Sequence, residues 1–211
     1  MIIIRANHDT PTYYLYEVTK QIYKEAETYG FKVAILEGKD INKDALRKRI
    51  KTHKPKLISF NGHGSDSSMF DNNSKEFIND NSADVFQDTI VYALACSCLN
   101  SLGKAAVKKG CNAFVGYRGN FWIARNHKSE CTPIRDFVAK PILDASSLVL
   151  KELIRGKSVN DAITKSHEFA SKEILKLIYS KEPLAIATLH ALSNNDSLLD
   201  YEGNGDAKVN E

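Results

Sequence analysis

The chain has 211 residues, of which 43% are hydrophobic and 26% charged, and its formal net charge is +3. This composition is typical of a folded globular domain and excludes a largely disordered chain. The basic residues are interspersed with acidic ones, without a dense basic block among aromatic residues, so no nucleic-acid partner is expected. No apolar run approaches the roughly 18 residues of a membrane helix, so no membrane partner is expected either.

The N-terminal sequence predicts the compartment, and the compartment predicts the state of the cysteines. Three isoleucines follow Met1 and precede Arg5, which is too short an apolar run for a signal peptide. We therefore expect a cytoplasmic protein whose four cysteines are reduced. No G-x-G-x-x-G or Walker-type loop follows any predicted strand, so no nucleotide cofactor is expected.

Short apolar runs alternate with amphipathic ones in the first half of the chain. Strands separated by helices of ten or more residues indicate parallel pairing, with helices on both faces of the sheet. A polar turn inside an apolar stretch predicts a small hairpin after the third strand. The predicted strands are Ile2–Ile4, Phe31–Leu36, Leu57–Phe60, Thr89–Ala95 and Ala113–Gly116, the helices lie near 12–29, 42–54 and 99–109, and the hairpin is Met69–Ile78.

The second half is predicted to be mostly helical. A long irregular loop, Gly119–Pro133, precedes a helix that begins at Pro133, is kinked at Pro141 and ends at Gly156. Ser158 is predicted to cap the next helix. Leu184–Leu192 is expected to form the sixth strand, and residues 201–211 a disordered tail. The predicted fold class is therefore a three-layer α/β sandwich: a mostly parallel sheet of about six strands, helices on both faces and a small β-hairpin insertion.

Two short motifs follow directly on predicted strands. Asn61-Gly62-His63-Gly64-Ser65 comes after the third strand and Leu94-Ala95-Cys96-Ser97-Cys98 after the fourth. Neighbouring parallel strands would bring His63 and Cys96 to the same sheet edge, where open sheets bind ligands. An imidazole beside a thiol can generate a thiolate nucleophile, and the amide groups of Gly64 and Cys96 could stabilise an oxyanion. The pair therefore predicts acyl transfer through a thioester, hence peptide hydrolysis.

These residues resemble the caspase-like cysteine peptidases of the caspase–haemoglobinase fold, and most closely their bacterial CHAT branch. The likeness spans residues 1–200, which are therefore expected to form a caspase-like peptidase domain. It includes the Met69–Ile78 hairpin, the fifth strand in Gly110–Gly116, and the segment from Leu153 to Ala162 before a late helix. The resemblance implies that Cys96 is the nucleophile and His63 the general base, with no third residue required. Cys96 is preferred to Cys98, which should already lie in the following helix.

The resemblance also implies a substrate cleft at the strand ends. Relatives with basic specificity often carry an acid two positions before the nucleophile, where this chain has Leu94. Trp122 lies in the loop that builds part of the cleft in this family, where it could contact substrate or pack against the core. Arg5, Asp9 and Arg118 lie at or beyond predicted strand ends and are expected on the same rim. They could be solvated charges or could bind the substrate side chain, in which case Asp9 would favour a basic substrate and the arginines an acidic one. The expected partners are a protein or peptide substrate and a regulatory or activating protein.

Other interpretations of the same residues stay open. The cysteines could be buried apolar residues, or they could bind zinc together with His63, although Cys-x-Cys is a poor match to structural zinc sites. No metal site is therefore expected. The same fold could also serve as a catalytically silent adaptor or as a small-ligand-binding α/β domain.

Overall fold

The computed structural model describes residues 1–209. Within that range the chain forms eight strands and six α-helices, joined by shorter helical turns. The strands are β1 (Ile2–Arg5), β2 (Ala34–Glu37), β3 (Leu57–Asn61), β4 (Ser68–Phe70), β5 (Glu76–Asn79), β6 (Ile90–Leu94), β7 (Ala113–Tyr117) and β8 (Leu199–Gly203). The helices are α1 (Thr10–Thr28), α2 (Lys43–His53), α3 (Lys104–Lys108), α4 (Lys140–Ile154), α5 (Val159–Ile178) and α6 (Ala185–Leu198).

The central sheet has six strands in the order β2-β1-β3-β6-β7-β8. All neighbouring pairs are parallel except β7 and β8, which pair antiparallel. Strands β4 and β5 form a separate antiparallel hairpin between β3 and β6 in the chain. The predicted fold class, including the hairpin insertion, is confirmed. From β1 the chain adds β2 on one side of the sheet and then β3 on the other. The loops after β1 and β3 therefore leave the sheet in opposite directions and flank a crevice at its carboxyl edge.

Alternation along each strand divides the core into two layers. In β6, Tyr92 and Leu94 point to the layer under α1 and α4, whereas Val91 and Ala93 point to the layer under α2 and α3. This period of two is what a strand buried on both faces requires. Helices therefore cover both faces of the sheet in the described part of the chain, and the strand ends and loops are where accessible side chains can meet.

Helix ends follow the side-chain caps that the sequence contains. Asn42 caps α2 and Ser158 caps α5, each accepting a hydrogen bond from a backbone amide three residues on. Asp9 caps α1 in a reciprocal capping box with Thr12. No helix within residues 1–209 combines the length and hydrophobicity that a bilayer-spanning segment needs.

Three parts of the second half differ from the sequence-based expectation. Residues 133–135 form only a short 3-10 turn, and α4 begins at Lys140, so Pro141 lies in its first turn and does not kink it. The predicted strand Leu184–Leu192 is wrong, because these residues belong to α6. The sixth strand is instead β8, whose residues 201–203 were assigned to the disordered tail. Asn210 and Glu211, the end of that predicted tail, lie outside the described residues.

Candidate active site

The register of the sheet brings His63 and Cys96 to equivalent positions. Asn61 at the end of β3 pairs with Leu94 at the end of β6. His63 and Cys96 each lie two residues beyond that pair, and the Gly62 amide donates to the Leu94 carbonyl at 3.3 Å. Neighbouring strands lie about 4.8 Å apart. Both residues line one cleft at the carboxyl edge of the sheet.

Asp9 is the direct partner of His63. The loop after β1 brings the Asp9 carboxylate to 2.6 Å from His63 Nε2, although the two residues are 54 positions apart in the sequence. Burial alone would raise the pKa of Asp9, but hydrogen bonds from His63 and Thr12 outweigh this and lower the pKa to about 2. Asp9 is therefore an anion at neutral pH, and it leaves Nδ1 as the ring nitrogen of His63 that is free for chemistry.

Cys96 and Cys98 occupy different environments. Cys96 is partly exposed in the turn after β6, whereas Cys98 is fully buried and its sulfur contacts the Ser68 carbonyl. Burial, with a further contribution from the neighbouring Cys96, raises the pKa of the Cys98 thiol well above its ordinary value. The accessible thiol in the cleft is therefore that of Cys96. Among residues 1–209 it makes no direct hydrogen bond to His63; such bonds often tighten only when substrate binds.

The backbone around Cys96 is held in an uncommon conformation. Ser97 has φ of 57°, in the left-handed region that non-glycine residues seldom adopt. Its amide donates to the Gly119 carbonyl at 2.9 Å, which ties the Cys96 turn to the loop after β7. Non-glycine residues in this region are often found at functional sites. The turn presents the Cys96 side chain to the cleft instead of continuing β6.

Gly64 packs tightly against the Cys96 turn. A Cβ atom at this position would overlap the Cys98 sulfur and would lie 2.9 Å from the Cys96 carbonyl oxygen. Only glycine allows this close approach. Within residues 1–209, neither the Gly64 amide nor the Cys96 amide donates a hydrogen bond. These two backbone N–H groups, which sequence considerations predict to be the oxyanion donors, are thus unused by the described part of the protein.

The cleft is mainly apolar. It has a volume of about 170 Å³ and lies between α1, the ends of β3 and β6, and the loop after β7. Among residues 1–209, Arg125 is the one lysine or arginine that lines the cleft, and it is paired with Glu130 at 2.8 Å. Asp9 contacts His63 at 2.6 Å but is not itself among the residues that line the cleft. The lining residues are Pro11, Thr12, Leu15, Gly62, His63, Leu94, Ala95, Cys96, Phe121, Ile123 and Arg125.

The residues predicted to form the substrate rim do not all lie at the cleft. Leu94 lines the cleft as expected. Arg5 is buried, pairs with Glu37 at 2.9 Å and lies over the Tyr16 ring, and Arg118 pairs with Asp200 at 2.7 Å. Neither arginine lines the cleft. Trp122 is half exposed next to the lining residues Phe121 and Ile123.

The loop that carries Phe121 and Ile123 is fixed by two buried polar residues. Asn195 of α6 makes two hydrogen bonds of 2.8 Å to the backbone of Trp122. Asp136 is completely buried and accepts hydrogen bonds from the Tyr14 hydroxyl at 2.7 Å and the Asn126 amide at 2.9 Å. Sequence reasoning identified neither residue, because their partners are distant in the chain.

Comparisons with known proteins support the fold but give no family. No protein-family model matches the chain, and no curated protein matches it. Among solved structures, the Arg-specific cysteine proteinase gingipain R aligns over 99% of this chain and 46% of its own, with 10% identity and a TM-score of 0.63. A complex of the Porphyromonas gingivalis RgpB pro- and mature domains aligns over 99% of this chain and 48% of its own, with 9% identity and a TM-score of 0.58.

At this level of identity the likeness shows the fold alone. The chain spans about half the length of the solved structures that it matches. It shares the architecture of a caspase-fold cysteine proteinase, as the sequence resemblance implied. The CHAT branch is a narrower assignment that depends on the sequence motifs.

Proposed function

We propose that the protein is a cysteine endopeptidase of the caspase-like fold, in its CHAT-like branch, with Cys96 as nucleophile and His63 as general base. The observation that carries the proposal is that both residues lie at the same register beyond adjacent strands and line one cleft. The fold shared with gingipain R supports it, since that protein is a cysteine proteinase. The expected thioester chemistry needs no cofactor.

The proposed reaction begins with the transfer of the Cys96 proton to Nδ1 of His63. The thiolate attacks the substrate carbonyl carbon, and the carbonyl oxygen becomes an oxyanion. Protonated His63 then gives the proton to the leaving amine as the C–N bond breaks, which leaves a thioester on Cys96. Water, deprotonated by His63, cleaves the thioester and restores the thiol. Asp9, bound to Nε2 at 2.6 Å, orients the ring and stabilises its charged form.

The Gly64 and Cys96 amides are the proposed oxyanion donors. Their N–H groups have no acceptor within residues 1–209 and lie on the two turns that meet at the cleft. Each donor of this kind contributes roughly 3 kcal/mol to transition-state stabilisation. Because both donors are backbone groups held by packing, they need no rearrangement during the reaction.

The lining of the cleft supports an apolar residue before the cleaved bond. Leu15, Leu94, Phe121 and Ile123 supply apolar surface, and in the described part of the chain no carboxylate is among the lining residues. Gingipain R is Arg-specific; within residues 1–209, the carboxylates nearest this cleft, Asp9 and Glu130, are already paired with His63 and Arg125. Burying a leucine or phenylalanine side chain here would contribute about 1.5–3 kcal/mol to binding. We therefore propose peptides with a large apolar residue at this position as substrates.

A peptide-library assay under reducing conditions tests the function and the substrate class together. Wild-type protein should cleave after large apolar residues, and Cys96→Ala and His63→Ala should each abolish detectable cleavage. Cys98→Ala and Cys131→Ala are the matched controls that remove a thiol outside the cleft and should retain activity. Cleavage that persists in Cys96→Ala would remove the mechanism, and cleavage after arginine or aspartate would remove the apolar subsite alone.

A catalytically silent adaptor is the second candidate. The observation that favours it is the missing direct hydrogen bond between His63 and Cys96 in the described residues. An adaptor would show no cleavage of any library peptide by wild-type protein. For either function we propose a regulatory protein partner; gingipain R has been solved as a complex of its pro- and mature domains.

A further inference from the structure

His8, Asp9 and His63 form a cluster with the chemistry of a metal site. One nitrogen from each histidine and one oxygen from Asp9 lie within 4.8 Å of one another. His63 Nε2 is 2.6 Å and His8 Nε2 is 4.0 Å from the same Asp9 oxygen, Oδ2. Ligand atoms bound to one tetrahedral zinc ion lie roughly 3.3 Å apart, because zinc bonds to nitrogen and oxygen are about 2.0–2.2 Å. Shifts of less than about 1 Å would therefore convert the cluster into a site.

His8 lies beside the Asp9–His63 pair. Its Nε2 is 4.0 Å from Asp9 Oδ2 and 3.3 Å from the hydroxyl of Ser74 in the β4–β5 turn, so this nitrogen faces the cluster. The His8 ring also packs edge-on against His63, with 5.3 Å between ring centres. The capping-box role of Asp9 and the hairpin contact of His8 hold both residues in place.

We propose that His8, Asp9 and His63 bind a divalent transition-metal ion of the zinc class, and that this ion reversibly inhibits the peptidase. Two imidazoles and one carboxylate are a known protein ligand set for zinc, with water in the fourth position. Binding breaks the hydrogen bond between Asp9 and His63, and the proton on Nε2 of His63 moves through solvent to Nδ1 of the same ring. Nε2 then binds the metal while Nδ1 carries the proton, so His63 no longer accepts the Cys96 proton.

The binding site itself can be tested without any activity. We would titrate the full chain carrying Cys96→Ala with Co²⁺ and Zn²⁺, following the cobalt absorption spectrum and the heat of zinc binding. The Cys96→Ala background removes the accessible thiol of the cleft as a competing ligand. One equivalent should bind, without the charge-transfer absorption of a cobalt–thiolate bond. Adding His8→Ala should weaken binding at least tenfold, and His8→Gln should do the same while keeping a polar side chain.

His53→Ala is the matched control, because His53 is an exposed histidine at the end of α2, outside the cluster. This variant should bind metal as the parent does. No binding, or binding that both His8 variants leave unchanged, would overturn the site. Thermal unfolding of each metal-free variant checks that the fold is intact.

The inhibitory role rests on the proposed peptidase function and is tested separately. Zinc should inhibit cleavage by wild-type protein, and His8→Ala should cleave in the absence of metal with at least tenfold lower sensitivity to zinc. Equal inhibition of both proteins would overturn the regulatory role and assign inhibition to other ligands. An inactive wild-type protein that still binds one metal ion through His8 would remove the peptidase and the inhibitory role, and leave the metal site.

Discussion

At the scale of single residues, Asp9 has two structural tasks. It caps α1 through the Thr12 amide with one carboxylate oxygen and binds His63 with the other. The helix therefore fixes the carboxylate, and the carboxylate in turn fixes the imidazole ring. This arrangement makes Asp9 a positioning residue for the proposed base. From the sequence, Asp9 is instead predicted to lie on the substrate rim.

Replacing Asp9 with asparagine separates the two tasks. Asparagine caps a helix as well as aspartate does, so we expect α1 to stay intact in Asp9→Asn. The loss of negative charge should lower kcat by a substantial part of the roughly 10²–10⁴-fold that a positioned base contributes. KM for an apolar substrate should change little, since Asp9 does not line the cleft. Unchanged kcat in a folded Asp9→Asn protein would contradict the positioning role.

At the scale of elements, the loop after β7 depends on Asp136. This buried carboxylate connects α1, the loop and the start of α4 through Tyr14, Asn126 and the Val138 amide. Because the same loop carries Phe121 and Ile123, the apolar wall of the cleft depends on it.

Asp136→Ala should therefore weaken both stability and substrate binding. Each buried donor that loses its acceptor costs about 1–3 kcal/mol, so the free energy of unfolding should fall by at least about 2 kcal/mol. KM should rise more than kcat falls. Urea unfolding and peptide kinetics measure the two effects, with Tyr14→Phe as the control that removes one partner only. A stable Asp136→Ala protein with unchanged KM would disprove this role.

Helices and strands could be predicted where the sequence signals that define them lie close together in the chain. The parallel strands, the hairpin and the caps Asn42 and Ser158 have local signals and were confirmed. Helix α6 was missed because Leu184–Leu192 is a short, mostly apolar run after Pro183, and such a run does not distinguish a strand from a helix, whereas its buried residues repeat at helical spacing. These are Ala185, Thr188, Ala191, Leu192 and Asn195.

The same distinction holds for the candidate site: residues beside clear strand signals could be predicted, and residues paired across long stretches of chain could not. His63 and Cys96 follow two strands that the sequence marks clearly, so their common edge could be inferred. The Asp9–His63 and Arg118–Asp200 pairs join residues 54 and 82 positions apart, and no local pattern encodes them. The roles of Asp9, Arg5 and Arg118 therefore required the tertiary structure.

At the scale of the whole molecule, the Asp9–His63 pair makes stability depend on pH. The pKa of Asp9 is lowered from 3.8 to about 2 in the folded protein. A group whose folded pKa lies below its unfolded value contributes stability above the unfolded pKa and loses it as the pH falls through the folded pKa. The Asp9 contribution should therefore be complete above about pH 4 and disappear towards pH 2.

Unfolding of wild-type and Asp9→Asn proteins at a series of pH values tests this expectation. The difference in unfolding free energy should be constant between pH 5 and 6 and should shrink as the pH falls from 4 to 2. It should be modest in size, because the Asp9 side chain is 38% exposed and solvent screens the pair. A difference that stays constant down to pH 2 would contradict the ionised pair.

The most direct test of the central claim is the rate at which each cysteine reacts with a peptidyl electrophile near neutral pH, measured by mass spectrometry. We predict that Cys96 reacts much faster than Cys131, although Cys131 is the more exposed thiol. His63→Ala should slow the reaction of Cys96 and leave that of Cys131 unchanged. If Cys96 reacts no faster than Cys131, or is indifferent to His63→Ala, the two residues do not form a catalytic pair.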